Sequence, residues 1–280
     1  MTTRFVQYTL LNASYVLILF TASALAFEGT DARSGGLGMC VPLFDMSAAD
    51  IWRAPAGTIT DGTLLIEAGA SRRYELKELD LVSLVVAFKH RAGICTLGYQ
   101  QFGQSDLYAE KTARGSAGIS SEHLSAAIFG SGRIYSFGSS YEEIRSPAVG
   151  LALGYRQTRL ALHVAIDDLN RPQPFSGSPR ESEKISLYSE AQGEGRFSVL
   201  ARGRWERHKR PSFGFGQIIF ATPAARFTWG LSMRPLLYGA GFEYHARNYG
   251  IVYCGWYHPV LGYSQSASLM YHFSFHKKSL

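Results

Sequence analysis

From residue 60 onward the chain alternates apolar and polar positions in segments about ten residues long. A period of two is that of a strand, whose side chains point to opposite faces in turn. The last segment shows it best. Ala267, Leu269, Tyr271, Phe273 and Phe275 form an apolar row, opposed by Ser266, Ser268, Met270, His272 and Ser274. Tyr238, Ala240, Phe242 and Tyr244 oppose Gly239, Gly241, Glu243 and His245 in the same way. Val149, Leu151, Leu153 and Tyr155 oppose Gly150, Ala152, Gly154 and Arg156, and Phe227, Trp229, Leu231 and Met233 oppose Thr228, Gly230, Ser232 and Arg234. About fourteen such segments begin near Thr63, Asp80, Ala92, Leu107, Leu124, Ala148, Arg159, Lys184, Arg196, Ser212, Arg226, Leu236, Tyr249 and Gln265. An even number of short alternating strands is the signature of a bacterial transmembrane antiparallel β-barrel. Lipid offers no hydrogen bonds, so a sheet can span it only by closing on itself. A soluble β-sandwich also alternates, but fewer of its apolar rows would end in Tyr and Trp.

The gaps predict short turns on the periplasmic side, at His90-Arg91, 120–123, Gln157-Thr158, 193–195, 222–225 and Arg247-Asn248. Longer outer connections are expected at 141–147, 169–183, 208–211 and 258–264. The Pro- and Gly-bearing 169–183 stretch should be a coil over the outer mouth. Phe213-Gly214-Phe215-Gly216 and Gly130-Ser131-Gly132 are candidate bends, because glycine inside a strand often marks a kink or bulge.

The first 60 residues do not alternate. Residues 1–26 read as a cleaved secretory signal: Arg4, an apolar stretch from Tyr15 to Leu25, and the small-x-small site Ala24-Leu25-Ala26. Residues 27–60 are rich in Gly and Ala, with a short helix expected from Met46 to Ile51 and a break at Ala54-Pro55-Ala56-Gly57. A segment of this length that is not a strand fits most economically inside the barrel, as a hatch. Its candidate residues are Arg33, Gly36, Gly38, Asp45, Asp50, Pro55 and Gly57. There a charge such as Arg33, Asp45 or Asp50 needs a partner, for which Arg156 and Glu243 are available. The barrel proper then spans 61–275, with a short periplasmic tail at 276–280.

Composition supports this reading. Charged residues are 18 % and aromatics 13 % of the 280-residue chain, and aromatic girdles use many of the latter. The net charge of +6 is scattered and no nucleic-acid motif accompanies it. The three cysteines, Cys40, Cys95 and Cys254, fit no metal-site spacing. No cofactor is expected. Arg156, His163, Glu243, His245 and His272 are expected to line the lumen. His163 with Asp167, and Ser274 beside His272, raise a barrel-embedded lipid hydrolase as a remote alternative. A serine nucleophile needs a base and an orienting third group within reach, and no enzyme is expected. Arg204, Arg207, Lys209 and Arg210, with Arg202 and His208, form a basic cluster expected to climb a strand into an outer loop. There Arg can grip lipopolysaccharide phosphates.

Three blocks carry a resemblance. They are Ala32-Arg33-Ser34-Gly35-Gly36-Leu37-Gly38-Met39, Ala48-Ala49-Asp50-Ile51-Trp52 and Ala54-Pro55-Ala56-Gly57. With Leu107 to Thr112, Asp167 to Pro172 and His258 to Gly262, they resemble the FadL-type outer-membrane transport family, and within it the compact PorV-like branch. Ala54 stands where the family has Asn, and Cys40 where it has Gly. The resemblance implies a fourteen-stranded outer-membrane barrel with its N-terminal segment inside. It also implies that the aromatic end, Tyr271, Phe273 and Phe275, is the signal read by the barrel-assembly machinery. Two functions follow from it. The first is a passive channel for hydrophobic or small solutes, gated by the hatch and opening sideways at a bent strand. The second is a PorV-like barrel holding secreted proteins at the outer membrane. Outer-membrane lipid and lipopolysaccharide are its expected surroundings.

Overall fold

The computed structural model of the chain describes residues 31–57, 59–104, 108–137, 143–173, 180–194, 196–207 and 209–275. The signal-peptide reading and the 276–280 tail lie outside the described residues, as do the first residues of the 27–60 segment, part of the 169–183 connection, and His208.

The wall is a closed antiparallel barrel of fourteen strands, each paired with its neighbours in sequence. The strands are β1 (Thr63–Arg73), β2 (Leu76–His90), β3 (Gly93–Gln104), β4 (Tyr108–Ser120), β5 (Leu124–Ser136), β6 (Ile144–Arg156), β7 (Leu160–Asp167), β8 (Lys184–Gln192), β9 (Phe197–Glu206), β10 (Ser212–Phe220), β11 (Ala225–Met233), β12 (Leu237–His245), β13 (Tyr249–His258) and β14 (Gly262–Ser274). β14 closes on β1 with Ser274 opposite Thr63 and Gln265 opposite Arg72. The Phe275 amide donates to Gly62 O at 2.7 Å. Both ends of the wall therefore meet at one rim, called here the terminal rim; the other is the far rim.

Exposure follows the two-residue period. In β12 Tyr238, Phe242 and Tyr244 are exposed while Glu243 is fully enclosed. In β14 Ser264, Ser266 and Ser268 are buried, and Tyr263, Tyr271 and Phe273 are exposed. The outer surface is thus a continuous apolar and aromatic band, with rings in contact such as Phe215–Trp229 and Phe227–Phe242.

Two helices precede the wall: α1 (Ala32–Gly36), capped by Asp31, and α2 (Ala48–Arg53). The first was not foreseen. Five residues with two glycines give no period to read, and burial rather than propensity holds it. The second begins two residues later than expected. Ser47 and Asp50 form a reciprocal capping box that fixes the start.

Two further expectations are corrected. The far-rim connections are not uniformly longer than the terminal-rim turns. Those at 74–75, 234–236 and 259–261 are as tight, while the stretches between β5 and β6 and between β7 and β8 are clearly longer. The strands run on in register almost to the far rim, so little chain is left to loop. The glycines of β10 and β5 mark no bulge: Phe213 to Gly216 pair in unbroken register with both β9 and β11, and Gly130 to Gly132 with β4 and β6. In β10 the glycines make room instead. A Cβ on Gly214 would sit 2.4 Å from Gly38 O, and one on Gly216 2.7 Å from Leu37 O.

Candidate functional site: the lumen and its N-terminal segment

The core of this barrel is built between wall and N-terminal segment. Val41, Leu43, Met46, Ile51 and Trp52 cluster with Val85, Ala87, Ile94 and Tyr188 of the wall. Ala32 joins Leu237, Val252, Cys254 and Trp256. Leu37 and Cys40 join Leu200 and Ile218, and Ala56 joins Ala127, Phe129, Ala152 and Ala165. The wall residues in these groups alternate with exposed ones, so they belong to the inward rows. α1 lies along β11 to β14 and α2 along β1 to β3. The approach is close. Gly38 has φ +60°, and a side chain there would meet Leu231 N at 2.5 Å.

Buried carboxylates of the wall grip this segment. Arg33 Nε donates to Glu243 Oε1 and its Nη1 to Asp50 Oδ2, each at 2.8 Å. Arg33 and Glu243 are 1 % and 0 % exposed. Glu190 Oε2 accepts the Leu43 and Phe44 amides at 2.6 and 3.0 Å. Glu67 Oε2 accepts the Ala49 amide at 3.0 Å. His163 Nε2 accepts the Ala56 amide at 3.2 Å, and Ser125 donates to Ala56 O. Asp45 is bound by Arg226.

The electrostatics of the segment follow from these pairs. The Asp45 carboxyl, desolvated on its protein side but more than half open to solvent, is held down to about 2 by Arg33 and Arg226. Burial, with Asp31 and Glu67 nearby, keeps Asp50 above the usual carboxylate range against the pull of Arg33.

The residues singled out from the sequence fall as follows. Gly36 abuts Thr228 Oγ1, and Gly57 abuts Met46. Pro55 lies in the turn after α2. Arg156, His245 and His272 line a cavity of about 400 Å³ at the terminal rim, with Phe44, Asp45 and Lys89. The Arg156 guanidinium stacks on the Phe44 ring, and His245 Nε2 lies 3.1 Å from Glu243 Oε2. His163 is spent on Ala56, and Asp167 pairs with Arg114. His272 Nε2 is 3.3 Å from Ser274 Oγ on the exposed rim, with no carboxylate bonded to it among the described residues. Arg207, Lys209 and Arg210 are exposed between β9 and β10. Arg204 lies within β9 on the inward row, since that strand continues to Glu206. Phe273 and Phe275 stack edge-on at 4.6 Å. Among the described residues no group of His, Cys, Asp and Glu could hold a metal ion.

A feature that the sequence reading missed is a seam. β6 begins at Ile144 and β7 ends at Asp167, yet their ladder covers only Leu151 to Arg156 against Ala161 to Ile166. Above it the β6 edge is satisfied by the returning chain. Leu169 N donates to Val149 O at 3.0 Å. The Asn170 side chain accepts from Val149 N at 3.1 Å and donates to Pro147 O at 2.9 Å. Asp168 anchors this corner to Arg133 at 2.7 Å and Lys184 at 2.6 Å. Just below, Ile128, Leu151, Leu153, Val164 and Ile166 line an apolar hollow on the outward face. The Asp167-Asp168-Leu169-Asn170 string carried the signal: a strand-ending polar run with an Asn able to mimic a peptide group.

The fold is that of bacterial outer-membrane channels, and the comparisons come from structure rather than sequence. No family model and no curated protein matches the chain. A mutant of TodX, a monoaromatic hydrocarbon channel, superposes with a TM-score of 0.63 at 10 % identity, over 89 % of this chain and 99 % of its own. The Pseudomonas putida toluene transporter TodX gives 0.57 at 10 % identity, over 90 % and 98 %. Acinetobacter baumannii Omp33 gives 0.50 at 9 %, over 77 % and 99 %. At these identities the likeness is one of fold.

Proposed function

We propose that this chain is a bacterial outer-membrane channel for hydrophobic or small solutes, with its N-terminal segment as hatch. The observation that carries the reading is the grip of Glu243, Glu190, Glu67 and His163 on residues 33–56. These four bond the segment to strands from opposite parts of the wall, and one of the bonds is a buried ion pair. A passage exists only if that segment shifts. In this reading the terminal rim is periplasmic and the far rim extracellular.

The seam between β6 and β7 is the lateral exit. A wall cannot open where ladder bonds are complete, and here side-chain bonds from Asn170 replace them. The apolar hollow beneath gives a hydrophobic solute a surface continuous with lipid. The compact PorV-like alternative, a barrel holding a secreted protein, needs loop surface. The mostly tight far-rim connections offer little of it.

The test is flux of a small aromatic hydrocarbon and of a small polar solute into vesicles carrying the full chain. Deleting residues 31–57 should raise both. Unchanged flux, with cysteines placed in the segment labelling freely from the periplasmic side, would remove the hatch from the account.

A further inference from the structure

Arg202 lies on the inward row of β9, facing the N-terminal segment near Gly38 and Cys40. Its electrostatic neighbours are Tyr188, Arg204, Arg53 and Cys40. None of them supplies a negative charge. Tyrosine is neutral far above pH 7, and burial pushes the Cys40 thiol up to about 12. The one carboxylate paired in the group is Asp31, and Arg53 holds it at 3.2 Å. Among the described residues Arg202 makes no hydrogen bond or ion pair, and its Nε is enclosed without an acceptor. Arg204 follows two residues along the strand, roughly 7 Å away, and its side chain is partly open to the far-rim half of the lumen.

Three guanidiniums therefore face one carboxylate at the outward side of the segment. A cation drawn from water without a counter-charge is costly. A guanidinium offers a planar fork that fits an oxyanion through two parallel bonds. The local excess of two positive charges matches a phosphate group, which carries about −1.5 to −2 and three acceptor oxygens.

The geometry points to a phosphate-binding site above the N-terminal segment, formed by Arg202 with Arg53 and Arg204. Exposed Arg207 and Arg210 continue the positive charge to the rim and give the anion a path inward, while Lys209 is paired with Glu206 at 2.7 Å. The phosphate arrives either on a free solute or on a lipid headgroup, and the chemistry recognised is the same. This site goes beyond the channel reading, which stands whether or not phosphate binds.

The test uses the full chain folded in maltoside micelles, which carry no phosphate, with heat-modifiable gel mobility as the check on folding. Inorganic phosphate is titrated in one arm by calorimetry, and lipid A against dephosphorylated lipid A in the other. Saturable binding is expected. Arg202→Gln should weaken it about tenfold or more, Arg202→Lys should recover part, and Arg159→Gln, at the terminal rim and paired with Glu194, should leave it unchanged. Binding of phosphate itself identifies a solute; binding of lipid A alone, lost on dephosphorylation, identifies a headgroup. If neither probe binds saturably, or if folded Arg202→Gln and Arg204→Gln both bind as the parent does, the site does not exist.

Discussion

Arg33 and Glu243 lie 210 residues apart in sequence and 2.8 Å apart in space, and neither side chain reaches solvent. The pair joins α1 to the inward row of β12. Removing one partner of a buried pair costs about 3–5 kcal/mol where the other charge is left alone; here Arg33 keeps Asp50 at 2.8 Å, so the loss should fall below that range.

Glu243→Gln should therefore loosen the N-terminal segment without unfolding the barrel, whose ladders are untouched. Cys40 reports it, since it is fully buried against Leu200 and Ile218. In a Cys95→Ser, Cys254→Ser background, Cys40 should be inert to a small thiol reagent in the parent and should label in the Glu243→Gln variant. Equal protection in both would show that the pair does not hold the segment.

Acid should act through Asp45. Its carboxyl is held at about 2 by Arg33 and Arg226, below the unfolded value of about 3.9. A depressed carboxylate stabilises above the unfolded value and loses that contribution as pH falls through the folded one. The raised Asp50 carboxyl acts with the opposite sign at higher pH, so the Asp45 contribution is read as a decline in Cys40 protection between about pH 4 and 2. Asp45→Asn should flatten that decline. An unaltered acid limb would assign it to other carboxylates.

Side-chain direction in β14 separates lipid from lumen. Leu269 pairs with Ala68 and Ile251 on the outward row, while Met270 lines the terminal-rim cavity. Leu269→Arg should cost roughly 2–4 kcal/mol in equilibrium unfolding if it lies near the bilayer midplane, and Met270→Arg distinctly less. Equal losses would contradict the facing of this strand.

At the seam, Asn170→Ala removes both side-chain bonds to β6. The Val149 amide should then exchange its hydrogen faster, by the factor of about five to tenfold expected for a lost bond of about 1 kcal/mol. Flux of an aromatic hydrocarbon should rise while barrel mobility on gels stays unchanged. Val149 exchange as slow as in the parent would mean that Leu169 alone holds the corner.

Much of this was legible in the chain. Strand existence and facing are local: a two-residue period states which side chains share a face, whatever closes the sheet. Fourteen starts fell within a few residues of those observed, with the largest errors at β2 and β6, where the far-rim ends of the strands carry charges and a proline that hide the alternation. The identities of Glu243 and His163 as inward polar groups were legible for the same reason; Arg33 and Asp50 precede the alternating part and were legible only as charges that an enclosed segment has to pair.

What only the tertiary structure decided is who meets whom. Arg226 as the partner of Asp45, Glu190 as the acceptor of the Leu43 and Phe44 amides, and Asn170 as the missing rung of β6 depend on a wall closed through fourteen registers. The β10 glycines read as bends because sequence shows a missing side chain but not the backbone that takes its place. Period is a property of neighbours along the chain. Charge pairing across a lumen is a property of closure, and no window of sequence contains it.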